Sequence, residues 1–350
     1  MKPTLTDLKK ITQILIADES SYLEIRNACG SLLDLFYQVS EFDEREPVNL
    51  RHLQSQAGQA VSPEAAAVCI RDFMRTRVFM RGLKEAISTK LQSNPQKAVT
   101  VLYAGTGPFA TLLIPLVTLF GPTQLNMLLL DINPASIAYL NKIISYFNLE
   151  PFVLRVVETD AVTYRIPAQW QPDIILSETM MPSLKTEPQV SIVANLVAQC
   201  PQALLVPEMI EIAACLYNSI KHDERRFIPL ETLLVFTKET ALEMASTQQL
   251  DTACFPVTRL EVQKSKQANY SRLALLTGIR VFNKHTLNLN DSSLTIPEFV
   301  YNMHNVKTWP AVFNIQYRIF PLPGFIIIKD GLTVFEIKKK QSHYMNSNNL

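Results

Sequence analysis

The sequence predicts an α/β protein with a helical N-terminal region, a central mostly parallel sheet and a β-barrel-like C-terminal domain. Three observations predict it. Apolar positions recur at helical spacing in the first part of the chain. From about residue 98 to 215, short apolar strands alternate with helical stretches. Beyond about 215, segments rich in β-branched and aromatic residues follow one another, several alternating in polarity. The expected boundaries are 1–92 for the helical region, 93–212 for the sheet domain, 213–340 for the β-rich domain and 341–350 for a polar tail.

Each element has its own reason. Leu5, Leu8, Ile11, Ile14 and Leu15 fall on one helical face, and a second amphipathic stretch runs from Tyr22 to about Phe42. Val61-Ser62-Pro63-Glu64 marks a helix start. Ser62 is the N-cap, Pro63 takes the first helical position, and Glu64 sits near the positive end of the dipole. That helix is expected to run through Arg75. Val99 to Tyr103 reads as the first strand, followed by a Gly-rich turn and a helix from about Phe109 to Phe120. Met127 to Leu130 is the second strand, closed by Asp131, and Asn133-Pro134-Ala135 opens the next helix. Phe152 to Val157, Asp173 to Leu176 and Ala203 to Val206 complete the strand series. In the last region, Leu230 to Thr237, Phe255 to Val262, Leu273 to Phe282, Val312 to Phe320 and Phe325 to Ile337 read as strands. Asp330-Gly331 is a tight hairpin turn within the last of them.

Composition narrows the function. A net charge of +1 over 350 residues argues against nucleic-acid binding, which calls for a basic excess or stripe. The only basic run is Lys338-Lys339-Lys340. Residues Ala98 to Leu130 carry no charge, long enough to cross a bilayer. Gly105, Gly107, Pro108, Pro115, Gly121 and Pro122 interrupt that run, however, so a buried strand–turn–helix–strand unit is expected and no membrane span. Cys29, Cys69, Cys200, Cys215 and Cys254 are scattered, with no CxxC and no histidine at ligand spacing. They read as reduced thiols of a cytoplasmic protein without a metal site. The charged N-terminus is not expected to be a signal peptide.

Two motifs carry chemistry. Tyr103-Ala104-Gly105-Thr106-Gly107 ends the first strand, where glycine lets backbone approach a ligand closely. Asp131-Ile132 ends the second strand, where a carboxylate can accept from both ribose hydroxyls. Asp160-Ala161, after the third strand, is placed to bind an adenine amino group. A dinucleotide fingerprint wants a third glycine three positions after the second. Here that position is Ala110, and Pro108 stands where the helix should meet pyrophosphate. These features favour S-adenosyl-L-methionine over a dinucleotide. The plain alternative is a structural turn, with Asp131 capping the next helix. The second motif follows the fourth strand: a loop from Glu178 to Glu187 that can fold back and bring both carboxylates to one cavity wall. Facing carboxylates suit a planar cation with several N–H donors, a guanidinium.

Together these residues resemble the protein arginine methyltransferase family, from about Ala65 to Val206. Asp72-Phe-Met-Arg75-Thr76 is similar to the family's Asp-x-x-Arg-Thr stretch. Ser177-Glu178-Thr179-Met180, with Glu187, resembles its double-glutamate loop, and Leu205-Val206-Pro207 the end of its cofactor domain. The resemblance implies a Rossmann-like methyltransferase sheet and a β-barrel after it. It implies Arg75 as ligand of the cofactor's methionine carboxylate, Glu178 and Glu187 as the catalytic clamp, with Glu178 also among the cofactor contacts, and a homodimer. It also implies substrate contacts from Asp72, Met180, Thr308 and Trp309. The sequence departs from the family near the substrate. The family's Trp-Met-Gly after the first Glu is Thr179-Met180-Met181 here. Its Thr-His-Trp loop is echoed only by Lys307-Thr308-Trp309, which lacks the histidine, with His304 as a nearby substitute. Those departures point to free L-arginine or another small guanidine as acceptor, as in free-arginine methyltransferases of natural-product pathways. An arginine side chain of a protein is the close variant. A class I methyltransferase with another acceptor, and a cofactor-binding scaffold without turnover, are the other readings.

Overall fold

The computed structural model describes residues 2–221, 226–246, 255–264 and 270–336. Cys254, the Lys338-Lys339-Lys340 run and the tail 341–350 lie outside the described residues. The chain opens with α1 (Leu5–Ile16) and α2 (Tyr22–Ser40), each started by a capping box, Thr4 with Asp7 and Ser21 with Glu24. Reciprocal bonds of this kind satisfy orphan N–H groups at a helix start. On α1 the core-facing stripe is Leu8, Thr12 and Leu15, while Leu5 and Ile14 of the expected face are exposed. Thr12 fits because its hydroxyl donates to the carbonyls of Leu8 and Pro115, at 2.8 and 3.2 Å.

The helical region is interrupted twice in ways the sequence reading did not anticipate. A hairpin of β1 (Leu53–Ser55) and β2 (Gly58–Ala60) precedes the Ser62 cap. The helix that Ser62 starts is short, α3 (Pro63–Val68), and passes through a 3-10 turn at Cys69–Arg71. A separate helix, α4 (Phe73–Ser93), then begins at Asp72. The expected continuous helix through Arg75 is therefore two. The Asp72 carboxylate makes the break, because it accepts the Arg75 backbone N–H at 3.2 Å as an N-cap.

The central sheet holds β3 (Val99–Ala104), β4 (Leu125–Asp131), β5 (Val153–Glu158), β6 (Ile174–Ser177) and β7 (Leu204–Val206). All neighbours are parallel, in the order β5-β4-β3-β6-β7. The helices α5 (Pro134–Tyr146) and α6 (Gln189–Gln199) lie between its strands in sequence. β3, β4 and β6 are buried along nearly their whole length, as strands covered on both faces are. The chain leaves β3 in one direction and returns to its other side at β6, so the strand order reverses there. A crevice outside the carboxyl ends of β3 and β6 follows from that reversal, and ligands of open α/β sheets bind in such crevices. The helix expected at 109–120 is instead a set of turns with a 3-10 helix at Ile114–Thr118. Pro115 supplies no N–H, and Ala110 takes a positive φ of 42°, so a regular helix cannot run through. The uncharged run from Ala98 thus folds as β3, turns and β4. No described helix is long and apolar enough to cross a membrane.

The antiparallel region opens with β8 (Met209–Tyr217) and continues with β9 (Phe227–Thr237), β10 (Thr258–Val262) and β11 (Arg272–Phe282). It ends with β12 (His285–Leu287), β13 (Glu298–Asn302), β14 (Ala311–Arg318), β15 (Gly324–Lys329) and β16 (Leu332–Glu336). One sheet runs β12-β11-β8-β9 with β13 also on β11, and the other runs β10-β14-β15-β16. Asp330 and Gly331 turn the β15–β16 hairpin with φ of 53° and 77°, the positive pair that such turns require. A helix not expected in this region, α7 (Lys238–Ser246), packs on α6. Thr237 starts it, taking the Thr240 N–H at 3.4 Å.

Candidate active site

The carboxyl ends of β3, β4 and β6 border a cavity of about 340 Å³, within the range of small-molecule sites. The turn after β3 forms its floor. Gly105 and Gly107 have φ of +78° and +58°, and a Cβ at Gly105 would lie 2.2 Å from Thr179 Cγ2. Only glycine fits where the backbone must take that angle and lie that close to the next loop. The Gly105 and Thr106 amides both donate to the Leu130 carbonyl, at 2.9 and 3.2 Å, which ties the turn to the end of β4.

Asp131 ends β4 and borders the cavity. Its Oδ2 accepts from the Gly107 amide at 2.7 Å and its Oδ1 from the Asn133 amide at 2.8 Å. It does not cap α5; Asn133 does, accepting the Ala135 amide at 3.0 Å. Burial pushes the Asp131 carboxyl up to about 6 against those hydrogen bonds. The Thr106 side chain and the Ile132 amide act on it in the same sense as those bonds, and the carboxylate still borders the cavity.

The loop after β6 contributes the carboxylates, and several contacts force its course. Ser183, Leu184 and Thr186 all have positive φ. The Ser183 amide donates to Thr277 Oγ1 at 2.9 Å, the Tyr317 hydroxyl donates to the Leu184 carbonyl at 2.8 Å, and the Thr186 amide donates to the Pro323 carbonyl at 2.9 Å. These bonds anchor the loop to the antiparallel region. From the other side the β1–β2 hairpin reaches it, with the Gln59 amide donating to the Thr186 carbonyl at 2.8 Å. The Gln189 carboxamide pins the start of the loop, accepting from the Thr179 amide and donating to the Ser177 carbonyl, both at 2.9 Å. Folded back in this way, the loop brings Glu178 and Glu187 to the same cavity.

The two acids differ. Glu178 Oε2 pairs with Nη2 of Arg75, from the first turn of α4. Its Oε1 is buried with no hydrogen-bond partner. Glu187 is 9% exposed, and no hydrogen bond reaches its carboxylate among the described residues. Burial raises its carboxyl to about 7, with Arg75 pulling the other way. One guanidinium thus faces two carboxylates, which leaves a local deficit of positive charge and an orphan acceptor. A buried acceptor without a partner is costly, and a second cation with N–H donors would satisfy both needs.

Of the residues singled out from sequence, the cavity gathers Arg75, Tyr103, Gly105, Thr106, Gly107, Asp131, Glu178, Met180 and Glu187. Ala104 and Ile132 stand behind its rim in the chain and do not border it. Asp160 and Ala161 do not border it either. The Asp160 carboxylate accepts the Ser55 hydroxyl and the Gln56 amide at 2.8 and 2.9 Å, and the Val162 amide at 3.0 Å. It therefore anchors the β1–β2 hairpin, outside the cavity lining. The Ala161 carbonyl accepts from Asn195 Nδ2 at 2.9 Å. Asp72 is spent in the same manner: besides capping α4, its Oδ2 accepts from the Ser292 hydroxyl and the Ser293 amide, both at 2.7 Å. Thr308 is exposed, Trp309 packs against the apolar core, and His304 is exposed; none of the three lines the cavity. Lining residues that sequence reasoning missed include Val61 and Ala66 around α3, Lys185, and Ser293 and Leu294 before β13. Lys185 lay inside a loop already marked as functional and was the one with a legible signal.

No protein-family model matches the sequence, and no curated protein matches it. Solved structures do match the fold. Protein arginine methyltransferase 10 of Arabidopsis thaliana, described in a uniquely open conformation, aligns with a TM-score of 0.52 and 11% identity, covering 76% of this chain and 95% of that one. The PRMT1 enzyme–prozyme heterotetrameric complex of Trypanosoma brucei, solved with AdoHcy, aligns with a TM-score of 0.47 and 13% identity over 75% of this chain and 96% of that one. The Arabidopsis similarity establishes a shared fold of parallel sheet followed by an antiparallel, barrel-like region.

Proposed function

We propose that this chain is an S-adenosyl-L-methionine-dependent N-methyltransferase of a guanidino group, acting on free L-arginine or another small guanidine. The observation that carries the reading is the pair of buried carboxylates, Glu178 and Glu187, bordering one cavity, with the Arg75 guanidinium paired to the first and acting on the second only as a nearby charge. The cofactor fits the residues present. The Gly105 turn leaves backbone bare where a Cβ would intrude. Asp131 offers acceptors for a ribose diol, and Arg75 is a cation for the methionyl carboxylate. When bound, the cofactor would supply an electrophilic methyl group to a guanidine nitrogen, its sulfur keeping the electron pair of the carbon–sulfur bond that breaks and the displaced N–H proton passing to water.

The protein's share is electrostatic. A guanidinium stays protonated and its lone pairs are delocalised, which makes it a poor nucleophile. Two carboxylates hold the cation, turn one nitrogen toward the methyl carbon and bias charge toward the others. Positioning of this sort removes several kcal/mol from a barrier.

A small acceptor is favoured over a protein side chain by the departures from the family pattern near the substrate, Thr179-Met180-Met181 and the Lys307-Thr308-Trp309 stretch without its histidine. We further infer a cytoplasmic homodimer, from the scattered thiols and from the family resemblance; sedimentation at the mass of one chain would refute the dimer. The test of function is incubation with methyl-labelled S-adenosylmethionine and a panel of guanidines and arginine peptides. Label on L-arginine is the expected result. Label only on peptides would reassign the acceptor. Cofactor binding with no labelled acceptor would favour a scaffold.

A further inference from the structure

The cavity wall carries a cation that guanidine binding does not use. Lys185 borders the cavity, two residues ahead of Glu187. Its Nζ donates to Glu298 Oε1 at 2.5 Å, and the two side chains are 23% and 12% exposed. Its backbone is fixed as well. The Lys185 carbonyl accepts the Glu187 amide at 2.8 Å and the Thr186 hydroxyl at 2.7 Å. Glu298 opens β13, whose partner strand β11 also supplies Thr277, the acceptor for the Ser183 amide. These bonds fix the lysine backbone within the loop that carries Glu187 and tie its ammonium group to β13.

A positive charge beside a site built for a cation opposes binding unless it has a counterpart. Glu298 supplies that counterpart in the free protein, so the lysine does not repel the guanidinium. A free amino acid brings a second anion of its own. With its guanidino group on Glu178 and Glu187, the far end of the molecule is a carboxylate, and a lysine is a compact point charge suited to receive one.

We propose, resting on the guanidine-methylation reading above, that Lys185 determines specificity by receiving the α-carboxylate of a free amino-acid substrate. The substrate class is then a guanidine that carries an unblocked carboxylate. Arginine within a peptide chain is excluded, because its carboxyl carbon is part of an amide. Glu298 is a positioning residue that aims the ammonium group and balances its charge.

The experiment compares three acceptors on the full chain with S-adenosylmethionine: L-arginine, agmatine (the same guanidine without a carboxylate) and Nα-acetyl-L-arginine amide. The wild-type protein should favour L-arginine over the other two in kcat/KM by roughly ten- to a hundred-fold, the scale of one charge-assisted hydrogen bond. Lys185→Met should raise KM for L-arginine by a similar factor with little change in kcat, so that the preference collapses. Equal use of agmatine and L-arginine by the wild type overturns the proposal while leaving guanidine methylation intact. A parallel loss on all acceptors in Lys185→Met also overturns it, since a loop strut would behave so. Methylation of none of the three would overturn both readings. The wild-type comparison decides the matter even where the variant does not fold.

Discussion

Glu187 is the residue whose environment has the plainest consequence. Its carboxyl is raised from 4.5 to about 7 by burial, so in the free protein it is only partly ionised near neutrality. A guanidinium needs the ionised form. Guanidine capture, read as kcat/KM, should therefore rise with pH through about 7. A profile that is flat across that window would remove Glu187 from the clamp. Asp131 makes a second case. Its carboxylate borders the cavity at the end of β4, so Asp131→Ala should weaken S-adenosylmethionine binding by roughly ten-fold or more, the value of one or two hydrogen bonds to a charged group. Unchanged affinity in calorimetric titration would remove the ribose assignment. At this scale the sequence was informative where a residue's place is set by the strand it ends. Glu178, Gly105 and Asp131 sit at or just past strand ends, and strand ends of such a sheet converge; Glu187 reaches them by the folded-back loop before α6. Asp160 and Asp72 were not legible, because their partners, Ser55 and Ser292, come from distant segments. No local pattern shows which carboxylate another loop will capture.

At the scale of elements, the β1–β2 hairpin meets the site at Ala60 and is tied in by one carboxylate and one backbone bond. Asp160 takes the Ser55 hydroxyl and the Gln56 amide, and the Gln59 amide reaches Thr186 in the glutamate loop. Asp160→Ala should cost about 1–3 kcal/mol of stability and increase amide exchange at residues 53–60. Loss of cofactor affinity with no change in hairpin exchange would mean instead that Asp160 touches the ligand. The hairpin escaped sequence reading because its strands are three residues each and polar, too short for a period to register. The 109–120 segment was misjudged for the opposite reason: its apolar content suits a helix, but Pro115 and the φ of Ala110 forbid a regular one. The α4 start shows a cap residue doing what propensity alone does not reveal, since Asp72 divides a stretch of good helix formers. In the C-terminal region, α7 carried its own signal in Lys238-Glu-Thr-Ala-Leu-Glu-Met-Ala245, a run of helix formers between strands.

For the molecule as a whole, the site is a stability cost. Because the folded pKa of Glu187 lies above the ordinary 4.5, the native state binds the extra proton between 4.5 and about 7. Its contribution to stability therefore falls as pH rises through that window, by on the order of 3 kcal/mol in full. Glu187→Gln should unfold at a higher temperature than the wild type at pH 8, with the gap closing toward pH 5. A variant less stable than the wild type at pH 8 would show that the carboxylate supports the fold instead. The order of regions, helical, parallel, then antiparallel, was readable from periodicity, because each imposes its own spacing of apolar residues. Which segments of one region close over another was not, because those contacts depend on loops whose course is set by backbone bonds such as Tyr317 to Leu184.

The clamp itself is tested most directly by Glu178→Gln, assayed for methyl transfer to L-arginine by mass spectrometry and for S-adenosylmethionine affinity by calorimetry. Loss of methylated product, with cofactor affinity kept within a few-fold, is the predicted result. Methylation at a rate close to that of the wild type would contradict a guanidinium held between two buried carboxylates.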